Sequence, residues 1–113
     1  MLFTTIVLFA IAAVLGLVLI TKVLKEESTP GPVVYNHGGA ATIALGLLII
    51  AYANQGDSLL MTTILVFVIA ALGGFVMFGR DLLNKELPKW LAVLHALVAV
   101  TGFILLLIGA FGG

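Results

Sequence analysis

No cysteine occurs in this chain, which excludes disulfides, thiolate metal sites, iron–sulfur clusters and covalent CxxCH haem attachment. Charge is nearly as scarce: 5 basic and 5 acidic residues among 113, or 9%. The stretches 1–21, 31–55, 58–79 and 90–113 contain no Asp, Glu, Lys or Arg at all. The few basic residues flank these stretches, which leaves no basic surface for nucleic acid. Histidine appears only twice, as His37 and His95.

What remains is apolar. The chain is 63% hydrophobic, more than a soluble domain of this size could hide from water. Each charge-free stretch is long enough to cross a hydrocarbon layer about 30 Å thick, which takes ~20 helical residues. In lipid the backbone must satisfy its own hydrogen bonds, so these stretches are expected to be helices. The expected spans are 3–22, 32–53, 59–80 and 89–110. The first stretch lacks the basic n-region of a signal peptide and reads as a mature helix.

The chain also matches itself. Slid by 58 positions, it gives 17 identities in 55 aligned pairs. Pro30 falls on Pro88, Gly16 on Gly74, Lys22 on Arg80 and His37 on His95. Thr5, Phe9, Ala12, Ala13 and Gly16 fall on Thr63, Phe67, Ala70, Ala71 and Gly74, one stripe at helical spacing. The expected fold is therefore all-α: a transmembrane four-helix up-down bundle of two tandem homologous hairpins, a parallel repeat with both copies the same way up. It reads as a single membrane domain over 1–113, with repeat 1 at 1–55 and repeat 2 at 59–113.

All five basic residues, Lys22, Lys25, Arg80, Lys85 and Lys89, fall in or beside the first and third connections; the second carries only Asp57. The basic-loop rule places loops 22–31 and 80–89 in the cytoplasm, with both termini outside, in a bacterial inner membrane. Trp90 and Tyr35 would then sit at the cytoplasmic interface, and Tyr52 near the outer one.

Each histidine follows its proline by seven residues, about 10 Å along a helix that the proline suits at its first turn. Both imidazoles are thus expected at one depth, just inside the cytoplasmic leaflet. Helices 2 and 4 are diagonal in an up-down bundle, so matched residues can face each other through its core. Histidine within a span is costly and marks function. The leading expectation is bis-histidine ligation of one non-covalent haem b, with His37 and His95 as metal ligands. Gly38, Gly39, Ala96 and Ala99 beside them, and Gly16, Gly73 and Gly74 at the same level, would give the macrocycle room. Arg80, Lys22 and Lys89 could receive the propionates.

On these two ligands and this architecture the chain resembles four-helix b-type membrane cytochromes. Two histidines would saturate the iron, which argues for one-electron transfer, haem carriage or redox sensing rather than catalysis at the iron. The chain's partners would be the lipid bilayer and a redox protein or quinone, with a homo-oligomer or a larger membrane complex also open. The main alternative is a structural or assembly subunit whose histidines bond across the bundle to a carbonyl, to Thr42 or Thr101, or to water. Zinc or copper would need more ligands than the spans supply. A haem held by histidine and Met77 would break the symmetry. Small multidrug exporters are similar in size but rely on an acid in their first helix, and residues 3–21 hold none.

Overall fold

Proline, glycine and aspartate punctuate the chain into four helices. The computed structural model describes residues 1–112, so Gly113, the last residue of the expected second repeat, lies outside the described residues. The helices are α1 Leu2–Leu24, α2 Gly31–Gln55, α3 Ser58–Leu82 and α4 Lys89–Phe111. No strand occurs among the described residues. All four are long and apolar enough to cross a membrane.

The helices outrun the expected spans by up to two residues at an end, because their stop signals lie farther out than their hydrophobic runs. The residues Glu26 and Asn84 take positive φ, 58° and 55°, just past the ends of α1 and α3. Beyond each, a backbone N–H reaches back to a helix carbonyl: Glu27 to Lys22 and Lys85 to Arg80, both at 2.8 Å. These two residues are 58 apart, as are the bonds around them. Helix α2 ends at Gly56, whose φ of 65° is the left-handed cap that glycine adopts without strain. Asp57 then caps α3 through its side chain, accepting from the Leu59 N–H at 2.9 Å. Pro30 and Pro88 stand as extended N-caps of α2 and α4, which fixes where each histidine falls.

Helix α1 packs on α2 and α3 on α4; α1 also meets α4, and α2 meets α3. The first and third connections touch each other. The Thr29 hydroxyl donates to Asp81 at 2.9 Å, and Lys89 pairs with Glu26 at 3.4 Å. The molecule measures 42 × 23 × 20 Å, so its length exceeds the ~30 Å hydrocarbon layer.

The core is Phe9, Ala44, Leu48, Leu60, Ile64, Phe67 and Leu106. At its centre the rings of Phe9 and Phe67 stack, 4.0 Å between centroids and 5° from parallel. Gly102 lets α4 close over that pair: a Cβ there would stand 3.0 Å from Phe67 Cε1. The shared stripe is buried at Thr5, Phe9 and Ala12, and at Thr63, Phe67 and Ala70. Ala13 departs from it and is exposed. Around the outside, Val14, Leu17, Leu72, Phe75, Leu97 and Ile104 are all more than half exposed. In water such a surface would aggregate; against acyl chains it is matched.

Candidate functional site

Each histidine sits in the second turn of its helix, and its ring crosses to the neighbouring helix of the same hairpin. His37 Nδ1–H donates to the Ala12 carbonyl at 2.7 Å. His95 Nδ1–H donates to the Ala70 carbonyl, also at 2.7 Å. A carbonyl only accepts, so the proton is on Nδ1 and the neutral ring keeps its lone pair on Nε2. In an α-helix the Ala12 carbonyl already accepts from the Gly16 N–H, and its second lone pair takes the imidazole.

Gly16 and Gly74 make this approach possible. A Cβ on Gly16 would lie 3.0 Å from His37 Cε1, and one on Gly74 would lie 3.2 Å from His95 Cε1. A Cβ on Gly73 would stand 3.7 Å from His95 Nδ1. The rings therefore lean on bare helix backbone, held at Nδ1 and flanked at Cε1.

The two imidazoles are neighbours in an edge-to-face relation, with centroids 6.3 Å apart and planes at 78°. Two imidazoles on one metal, with bonds of about 2.0 Å and about 1.15 Å from nitrogen to ring centre, would put their centroids about 6.3 Å apart. A direct N–H···N bond along a common axis would bring them to about 5.2 Å. The observed spacing is longer than that of a direct bond between the rings. Among the described residues Nε2 of neither ring has a hydrogen-bond partner, yet neither is a sealed, unsatisfied atom.

Comparison with known proteins finds no matching family model, no matching curated protein and no matching solved structure. The reading of the site therefore rests on its own geometry.

That geometry gathers some of the expected residues and disperses others. His37, His95, Gly16, Gly73 and Gly74 are brought together. Ala96 and Ala99 are half-buried on α4, and Ala99, one turn on, shares the face that carries His95. Gly38 and Gly39 are exposed, with nothing within 4 Å of an added Cβ, so the structure puts them at the lipid-facing surface rather than beside the rings. Gly39 instead borders a shallow outer groove between α1 and α2, with Ile11, Leu15, Tyr35 and Asn36.

The basic residues near this end are partly engaged. Lys22 pairs with Glu27 at 3.6 Å and Lys89 with Glu26. Arg80 donates from Nε to the Glu86 carbonyl at 2.8 Å, which turns its guanidinium toward the connection. Thr42 and Thr101 do not reach the histidines; their hydroxyls donate to Gly38 and Leu97 of their own helices. Among the described residues no group of three or more His, Cys, Asp or Glu could hold a metal.

The Ala12 and Ala70 carbonyls are the functional groups that residue-type reasoning misses, because a backbone acceptor leaves no letter in the sequence. A signal did exist. Ala12 and Gly16 recur at Ala70 and Gly74, four residues apart in each copy, at the offset that relates the histidines.

Proposed function

We propose that this chain is a multi-pass membrane protein that holds one haem b between His37 and His95. In this reading it is an up-down bundle of two homologous hairpins. The observation that carries the proposal is the pair of neighbouring imidazoles, with centroids 6.3 Å apart and Nδ1 of each held by a helix carbonyl, which leaves Nε2 as the free nitrogen. Metal-ligating histidines commonly have this second contact, which fixes the tautomer and makes the ring a better donor. His37 and His95 would hold the group. The imidazoles take the space that side chains at Gly16 and Gly74 would fill.

With both axial positions taken by imidazole, the group would supply one-electron exchange and no open site for oxygen or substrate. That supports electron transfer, haem carriage or redox sensing, and argues against catalysis at the metal. The chain's own residues would fix the ligand rings, exclude bulk water and place the acidic edge of the group near Arg80, Lys22 and Lys89. In this reading that end faces the cytoplasm of a bacterial inner membrane, with both termini outside, which the basic connections support. One such site lies near one end of the bundle, so the chain alone would not pass an electron to the far leaflet.

A second reading has an observation behind it. The same Nδ1–H···O=C bonds tie α2 to α1 and α4 to α3. Interhelical bonds of this kind average about 0.6 kcal/mol in membranes. On this view the histidines are structural and the protein is an assembly subunit. The absorbance of protein purified in detergent after expression with ample haem separates the two. The haem proposal expects a sharp Soret band and reduced α and β bands in the wild type. His37→Ala and His95→Ala should each lose the six-coordinate low-spin spectrum. A colourless wild type, or a histidine variant with an unaltered spectrum, would sink it.

A further inference from the structure

We propose that the outer groove between α1 and α2 binds one anionic diacyl phospholipid, drawn from the leaflet that meets the first connection. Neither histidine lines this groove, so the proposal stands whether or not haem is bound.

The groove holds about 590 Å³, within the ~300–1,000 Å³ that ligand sites commonly span. Leu8, Ile11 and Leu15 form its α1 wall, and Gly39, Ala40 and Ile43 its α2 wall. From Pro32 at one end to Ile43 at the other, α2 rises about 16 Å, roughly one leaflet of a ~30 Å hydrocarbon layer. An acyl chain running inward from the interface matches that length. A second, smaller depression of about 360 Å³ lies beside Ala10 and shares Ile11 and Leu15 with the first. These two side chains are thus a ridge between adjoining slots, which suits a lipid with two chains better than a lipid with one.

The polar groups of the groove gather at its interfacial end. Tyr35 and Asn36 line it near the start of α2. One Asn36 side-chain N–H donates to the Pro32 carbonyl at 2.7 Å, which leaves the other N–H for an ester oxygen. On α1 the wall continues at helical spacing from Leu15 through Val18 to Lys22 and Lys25. Glu27 pairs with Lys22 at 3.6 Å and Glu26 with Lys89 at 3.4 Å, so both acids of this corner are engaged. Lys25, exposed at the end of α1, has no ion-pair partner among the described residues. The mouth therefore carries one uncompensated cation above neutral hydrogen-bonding groups, the complement of a phosphate above glycerol esters.

The second hairpin serves as an internal comparison. At the offset of 58, Leu97 and Val98 stand for Gly39 and Ala40, Leu94 for Asn36 and Leu83 for Lys25. Leu83, Leu94 and Leu97 are exposed, the bulky apolar surface that bulk lipid requires. The first hairpin has lost that bulk and gained a cation and an amide at the same positions. Packing within the chain does not demand the loss, because an added Cβ at Gly39 meets nothing within 4 Å.

Native mass spectrometry of the full chain, delipidated in detergent, reads the test. The probes are dioleoyl phosphatidylglycerol, dioleoyl phosphatidylcholine, with the same chains and no net charge, and single-chain oleoyl lysophosphatidylglycerol. Wild type should retain one phosphatidylglycerol, about fivefold more tightly than phosphatidylcholine, the factor expected for one basic group near an anionic head. It should hold the single-chain lipid more weakly than phosphatidylglycerol. Lys25→Gln should erase the preference between the two diacyl lipids. Gly39→Leu should weaken retention of both by about tenfold, by overfilling the groove. Gly38→Leu is the control: it adds the same side chain one position away, outside the groove, and should bind as wild type does. Lys25→Gln changes an exposed side chain and keeps the test alive if Gly39→Leu fails to fold by far-ultraviolet circular dichroism.

Equal retention of the two diacyl lipids by wild type would overturn the proposal, as would a Gly39→Leu variant that binds phosphatidylglycerol like wild type. Equal retention of the single-chain lipid would overturn the two-slot assignment. A lipid-free dimer that Gly39→Leu splits would overturn the whole, because the groove would then belong to a second copy of the chain.

Discussion

Replacing Phe67 tests whether the aromatic layer beneath the histidines holds the bundle together. The ring is 7% exposed, stacked on Phe9 at 4.0 Å, and lies against Gly102. Phe67→Ala removes about 100 Å³ of side chain, and at ~24 cal/mol per Å³ of residual cavity that costs about 2.4 kcal/mol. The lost aromatic pair adds about 0.5–1.5 kcal/mol. Transfer to water contributes little, since lipid is as apolar as the core. The expected loss is therefore about 3 kcal/mol. Gly102→Ala alone should cost about 1–3 kcal/mol, because its methyl meets three atoms of a rigid ring at 3.0, 3.1 and 3.2 Å. With the ring removed, that methyl fills part of the hole and should cost nothing or help. The double variant should then be more stable than the sum of the single losses by at least about 1 kcal/mol. Reversible unfolding in mixed detergent micelles reads all three. Phe75→Ala, at a ring that is 65% exposed, should stay within about 0.5 kcal/mol of wild type. Additive losses at Phe67 and Gly102, or an equal loss at Phe75, would refute this account of the core.

Other expectations follow from single positions. Gly38→Leu should leave both the haem spectrum and the unfolding curve close to wild type, because an added Cβ there meets nothing; a lost Soret band would place Gly38 at the cofactor after all. Gly56→Ala should destabilise by about 1 kcal/mol in the same detergent titration, since its φ of 65° is unfavourable for any residue with a Cβ. Reporter fusions after Lys25 and Lys85 should report the cytoplasm and one after Phe111 the outside; the reverse pattern would invert the orientation.

Much of the fold is legible in residue order. The charge-free runs give four helices, and Pro30, Pro88, Gly56 and Asp57 mark where three of them begin or end. The helix ends at Leu24 and Leu82 are less legible, because Glu26 and Asn84 stop them through backbone conformation and neither is glycine. The candidate site divides similarly. The matched histidines and glycines can be paired by eye. Gly38 and Gly39 look equally suited in the sequence, being next to His37, but adjacent helical positions point about 100° apart and theirs turn to lipid.

By itself the sequence determined four helices long and apolar enough to cross a membrane, since 63% hydrophobic residues and long charge-free runs suit a backbone that satisfies itself. It also determined that the two histidines occupy matching positions on α2 and α4, through the shared spacing from Pro30 and Pro88. The tertiary structure alone decided what those rings touch. The carbonyls of Ala12 and Ala70 lie on other helices, 25 residues away, and only helix packing sets the 2.7 Å bonds, the 6.3 Å gap and the crossed planes. Periodicity fixes which face a side chain shares with its own helix; the distance to a neighbouring backbone depends on how closely two helices approach, and Gly16 and Gly74 govern that approach.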